Sequence, residues 1–528
     1  MGDDGTRAEA LSTTALLNCL IREVARPERD PEEAAGHRAY RLPATGRLLR
    51  VRAGRHPGEP ALRTAGGWRA LTLARLVELA AEELGRHTGH GNPALPAEIA
   101  DSRDVMAALL AARAAATPPE DPYLRSEQAL LAGHRYHPAP KARGAGSPDR
   151  WLPYAPEAYA RFPLELLGVR EDLVAGDGDA SALDVLGAAP PDGYRLLPAH
   201  PWQLTLLGAL PAFRDGRLLR LGRTAGLAVP TSSLRTVYLP EADLFCKFSL
   251  DVRITNDIRR LWLRDLRWLR IVDELLATAF ADLPPYLPLA SVLSDRGYRT
   301  ADLGGRDAYE ALAVVVRDGL GAHLKPGVTP LLAAGVSEGF PGNPLDGTTP
   351  EAALGWWQRY LDHVVPPVLH AGLRHGVVLE CHLQNVLVCV DEEGLPAQVL
   401  FRDHEGVKLV AERHRAVLGR FGPGTPNPGV SAERGWERLV YCLVVNNLAE
   451  IAGAIHERHP ELGGELWRRA RAVFADYAAD HGDPPEVREL LAAAHLPAKA
   501  NLLLRWRDAD GGSSRYVPVP NPLRAATG

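Results

Sequence analysis

The chain has 528 residues, with 60 Lys plus Arg against 65 Asp plus Glu and a formal charge of -5. That length exceeds one compact domain and implies two or three. The charge balance gives no overall field to draw the chain onto nucleic acid or an anionic membrane, so a basic site must be local. Five scattered cysteines without a CxxC pair suit reduced thiols. The acidic start MGDDGTRAEA and the lack of a long apolar run suit a soluble cytoplasmic protein.

From Leu11 to about Ala115 the pattern reads as helical, with Leu73, Leu76, Val77, Leu79 and Leu84 on one stripe. The loop GHRYHPAPKARG (133–144) follows, stiffened by Pro138 and Pro140, then YRLLPAHPWQ (194–203). Three segments between Leu218 and Leu250 are rich in apolar and β-branched residues and predict an antiparallel meander. Thr255 and Asn256 are of the types that cap helices, which predicts a helix from that point through DIRRLWLRDLRWLRIVDELLATAF. A helix capped by Thr349 should start near Pro350 and run to Gly376 with a kink at Pro366–Pro367. Strands VVLE, QNVLVCV and AQVLFRD come next, then helices from Arg434 to His495 and a closing hairpin.

Two stretches could carry chemistry. In TSSLRTVYLPEADLFCKFSLDVRITNDIRR, hydroxyls and cations alternate along strands: Ser233 and Arg235 point one way, and Thr236 joins them only if a bend intervenes. Lys247 and Arg259 could bring two more cations. Hydroxyl donors, a point charge and guanidinium forks are what a polyphosphate needs, although the same pattern also suits a solvated strand face. In HGVVLECHLQNVLVCVDEEGLPAQVLFRDHEG, a hairpin would bring Asn385 near Asp403, with Glu380 and His382 before it and Glu405 after it. That arrangement is similar to the kinase hairpin whose Asn and Asp hold Mg²⁺ on bound ATP, and oxygen donors suit that hard ion. Zinc fits less well, because Cys381 and His382 are adjacent. Taken alone, the loop with His134, His137, Lys141 and Arg143 is equally well a solvated basic turn.

In this order, the motifs GHRYHPAPKARGAG, HPWQ, SLRT, ITNDIR, HGVVLECHLQN and RDHEG, with Lys247 between the third and fourth, resemble the IucA/IucC family of siderophore synthetases. Arg135 stands where the family usually has proline. The resemblance implies an α+β cupped-hand fold: a helical thumb (1–130), fingers on an antiparallel sheet (131–345) and a palm of sheet plus helices (346–528). It implies ATP and Mg²⁺ as cofactors, a small carboxylic acid and an amine, hydroxylamine or alcohol as substrates, no nucleic acid or membrane partner, and a homodimer. The acid is activated as an acyl-adenylate and passed to the nucleophile, with release of pyrophosphate and AMP.

On that reading His134, Lys141, Ser233, Arg235, Thr236, Lys247, Arg259, His382, Asn385 and Asp403 bind nucleotide. Asp403, Glu380 and Asn385 hold the metal, and His382, Arg259 and Lys247 act on the reacting groups. No residue stands out as the base for the amine step. Two other functions fit the same residues: a kinase-like phosphotransferase built on Lys247, Asn385 and Asp403, and a protein that binds a polyanion without turnover.

Overall fold

The computed structural model describes residues 3–30, 35–144, 146–422, 426–509 and 515–525. The first 115 residues are not purely helical. Between helix Asp3–Glu23 and helices Leu73–Thr88 and Ala94–Ala115 lies a five-stranded antiparallel sheet in simple meander order, from Arg26–Glu28 to Gly67–Ala70. Its strands alternate: Leu49 and Val51 are buried, while Arg50 and Arg52 turn outward, as a half-buried sheet requires. The predicted helix at residue 73 is present. Thr72 caps it by accepting from the Arg75 amide, and its leucine stripe is buried.

The central sheet has six strands, all antiparallel, in the order Val229–Pro230, Thr236–Leu239, Leu244–Phe248, Val314–Asp318, Asp295–Ala301, Val174–Gly178. The predicted meander therefore holds for its last two segments, which form the first three of these strands. Leu218–Arg223 instead pairs with Glu165–Arg170 in a separate three-stranded sheet.

The helix expected from Asn256 does not start there. Thr255, at φ 59°, and Asn256 turn a tight hairpin between Leu250–Ile254 and Asp257–Arg259, and helices begin only at Leu263 and Leu269. The residue types that cap helices also make turns, and here the turn prevails.

Helix Pro350–Leu369 forms as expected, with Thr349 accepting from the Ala352 amide. Both prolines lie inside it, and a π-helical turn, His370–Arg374, continues it. Strands Val386–Val390 and Pro396–Phe401 form the expected hairpin within a four-stranded sheet. Helices fill most of 432–492. The closing hairpin expected over 500–519 forms differently: its first arm is a short helix, Asn501–Trp506, and Tyr516–Pro520 pairs instead with the preceding His495–Lys499; part of the connection lies outside the described residues.

The largest core joins Tyr123, Phe245 and Trp268 to Trp356, Trp357 and Tyr360, so packing is continuous across both expected boundaries. Helix Ala432–Arg458 is long and apolar enough to cross a membrane, but 72% of its most apolar window is buried in this core. All five cysteines are unpaired and buried.

Candidate active site

The central sheet and the 386–401 hairpin meet at a cluster of ions. Lys247, on Leu244–Phe248, directs its Nζ to Asp403 Oδ1 at 2.5 Å and to Glu405 Oε2 at 2.7 Å. Arg235 Nη2 donates to the same Glu405 oxygen at 2.8 Å, and its Nη1 donates to the Arg259 carbonyl at 3.1 Å. Arg317, on the next strand, lies 3.5 Å from Asp403 Oδ1 and is anchored to Asp295 at 2.6 Å. Burial alone would raise both carboxyls. The cations beside them, Lys247 and Arg317 for Asp403 and Arg235 and Lys247 for Glu405, hold both below the usual carboxylate range.

The bend that convergence required is present. Leu234 sits at φ 66°, the Arg235 amide donates back to the Ser233 carbonyl at 2.7 Å, and Ser233 Oγ then meets Thr236 Oγ1 at 2.9 Å. Thr236 pairs in register with Lys247. Ser233, Arg235, Thr236 and Lys247 thus lie at one place. Arg259 joins them from the end of the 250–259 hairpin rather than from a helix; its Nη2 donates to the Ile254 carbonyl and to Thr255 Oγ1.

A buried clamp holds this segment against the hairpin. Arg402 pairs with Glu127 and donates to the Gln384 carbonyl, while Glu127 accepts from the Ser232 amide.

Asn385 closes the ladder at Val386↔Phe401. Its side-chain amide donates to the Glu380 carbonyl, and its backbone carbonyl accepts from the Arg402 amide. Asp403, at φ 71°, follows directly. The oxygen donors of Asp403, Glu405 and Asn385 suit Mg²⁺. Glu380 is more constrained. Arg438 donates to its Oε1 at 2.8 Å, and its other oxygen packs on Gly406 so closely that a Cβ there would lie 1.6 Å away. Burial would raise this carboxyl, but Arg438 and His382 hold it at about 2.

The opening loop divides. His134 lies in the electrostatic reach of His382: although its surface is exposed, desolvation by the surrounding chain, with Arg22, His382 and Lys499 nearby, pushes its pKa down to about 4. Burial, aided by Lys499, also lowers His382 against the pull of Glu380. Lys141 lies elsewhere, contrary to its expected nucleotide role. Its Nζ is buried against Glu157 and the Leu130 carbonyl. Arg135 pairs with Glu338 and Glu450, and His137 contacts Asn256. The HPWQ turn is packing: His200 caps a helix among aromatic rings, and burial takes it to about 3.

Sequence reading missed Arg317, Asp295, Arg402, Glu127 and Lys499. The only available signal for the first was a charged residue interrupting the apolar run VVVRD.

Beside the cluster lies a cavity of about 310 Å³ that shares Lys247, Asp295 and Glu405 with it. Leu266, Leu269 and Val272 supply apolar wall, and Asp265, raised to about 6 by burial and by Glu405, lines another side.

A cation cluster set against oxygen donors, beside a part-apolar cavity, is the candidate active site. Residues 122–338 match the profile of the IucA/IucC family, and residues 355–514 match one described as ferric iron reductase FhuF-like transporter. The rhizobactin siderophore biosynthesis protein RhbC of Rhizobium meliloti is 29% identical over 98% of this chain and 97% of its own. The L-2,3-diaminopropanoate–citrate ligase of Staphylococcus aureus is 28% identical over 76% and 75%. ATP-bound aerobactin synthetase IucA from Klebsiella pneumoniae superposes with a TM-score of 0.84 over 97% of this chain and 99% of that one, at 23% identity. Along most of its length the chain is thus similar to siderophore synthetases of the IucA/IucC family.

Proposed function

We propose that this chain is an ATP-dependent ligase of siderophore assembly, which adenylates a carboxylic acid of the citrate class and joins it to an amine, hydroxylamine or alcohol. The supporting observation is the convergence of Lys247 and Arg235 on the part-exposed carboxylates of Asp403 and Glu405, with Arg259 packed beside Arg235. Acid and triphosphate repel each other, so their approach needs fixed cations that also stabilise charge moving onto the leaving pyrophosphate. Arg235, Lys247 and Arg259 supply them, and an incoming polyphosphate replaces carboxylate oxygens as the partner of Arg235 and Lys247. Ser233 and Thr236 add neutral donors. Asp403 with Asn385 would hold Mg²⁺, which supplies charge neutralisation on phosphate oxygens.

His134 and His382, both neutral near pH 7, can donate a hydrogen bond without adding a charge. One carboxylate oxygen of the acid attacks the α-phosphorus and pyrophosphate leaves. The nucleophile then attacks the acyl carbon, and AMP departs carrying that oxygen. The reading includes work in the cytoplasm, a thumb, fingers and palm divided near 130 and 345, and a homodimer, which sedimentation of the purified chain tests. The decisive assay supplies ATP, citrate-class acids and a panel of diamines, hydroxylamines and amino alcohols. Acid-dependent pyrophosphate and AMP are expected. ADP would indicate a kinase-like phosphotransferase, and tight acid binding without turnover a binding protein.

A further inference from the structure

Away from the cluster, His370, His375 and Asp282 come together where helix Pro350–Leu369 ends. Residues five apart on an α-helix are separated by about 140° around its axis and cannot share a ligand. Here the π turn His370–Arg374 intervenes. Its wider winding brings the two imidazoles to one side, with ring centroids 5.2 Å apart. Asp282, just past helix Leu269–Ala281, reaches both rings with one oxygen: Oδ2 lies 2.9 Å from His375 Nε2 and 3.3 Å from His370 Nε2. One ligand atom from each of the three residues falls within 4.8 Å of the others.

A second observation concerns His370 itself. It is 2% exposed; among the described residues its Nδ1 has no hydrogen-bond partner, and its Nε2 has only the Asp282 carboxylate at 3.3 Å. A buried imidazole so sparsely partnered, with its Nε2 turned to the same oxygen as His375 Nε2, can accept an ion between the three groups.

We propose that His370, His375 and Asp282 form a binding site for a divalent transition ion, with zinc the best match. Two imidazoles and a carboxylate are borderline donors, which suit zinc or cobalt better than magnesium or calcium. Three protein ligands leave a fourth position for water. Arg374, whose Nε lies 3.3 Å from the same oxygen, is mostly exposed and free to swing away. The ion fastens the end of helix Leu269–Ala281 to the segment that feeds Val377 through Asn385. That helix also carries Asp273, whose Oδ1 faces His404 next to Asp403 at 3.1 Å. The site is therefore a clamp behind the ion cluster, independent of the acid or nucleotide used.

The test is titration of the full-length protein with Co²⁺, read by its visible d–d absorption, and with Zn²⁺, read by melting temperature. One equivalent should bind, with the intense absorption of a four- or five-coordinate ion, and zinc should raise the melting temperature. His375→Gln and Asp282→Ala alter partly exposed side chains and leave His370 in place; each should weaken binding at least tenfold and abolish the zinc-dependent shift. Failure of the wild-type chain to bind at 1:1, or equal binding by both variants, would overturn the site.

Discussion

Lys141 and Lys247 make a controlled comparison within one molecule. Each is a buried lysine whose ammonium meets a carboxylate at close range. Around Lys141 both partners are enclosed, with side chains 6% and 4% exposed for Lys141 and Glu157. Around Lys247 only the lysine is enclosed, at 3%, while Asp403 and Glu405 stay 26% and 27% open. A cation whose acceptor is sealed serves the fold. A cation whose acceptor faces solvent can change partner, and that exchange is what binding a polyanion needs. Residue type and family motif are the same in kind at both places, and exposure of the acceptor separates them.

Substitutions can break or sharpen this contrast. Lys247→Met should lower acid-dependent pyrophosphate release on the order of 10³-fold while circular dichroism stays native; a loss under tenfold would put Lys247 in the same class as Lys141. Gly406→Ala should cost about tenfold in rate and about 1–3 kcal/mol in stability, because the new methyl displaces the Glu380 carboxylate packed on it. Retained rate and stability would show that Glu380 need not be fixed there.

Lys141→Met should do the reverse of Lys247→Met. Denaturant unfolding should show a loss of about 3 kcal/mol, since Glu157 is left buried with only Arg143 3.6 Å away. The Michaelis constant for ATP should not move.

The smallest effect concerns acid. The His134 pKa falls from 6.5 unfolded to about 4 folded, so between those values the unfolded chain binds more protons and stability declines as pH falls. His134→Gln should flatten that part of the stability profile, as pH-dependent melting would show.

Most of the cluster was legible in the sequence because its residues lie in short, dense motifs: Ser233, Arg235 and Thr236 within four positions, Asn385 and Asp403 at matched ends of one hairpin. Even the bend at Leu234 could be demanded, though not located. What could not be read was which cations were already committed. Lys141 meets Glu157 sixteen positions away, and Arg402 meets Glu127 across 275; no local pattern announces either. The sheet at 26–70 was missed for another reason. Its period-two signal is present in LLRVR, but it lies between strongly helical segments, and arginines cover its outer face. Thr255–Asn256 misled because turn and cap ask for the same side chains, and long-range packing decides between them.

The adenylation chemistry itself can be followed by an oxygen label. With ATP, a suitable nucleophile and an acid carrying ¹⁸O in its carboxylates, attack on the α-phosphorus leaves one labelled oxygen in the AMP released. Label in AMP, with none in inorganic phosphate, is the expected result. Label in inorganic phosphate, with ADP as the nucleotide product, would show that the cluster around Lys247 and Asp403 directs attack at the γ-phosphorus instead.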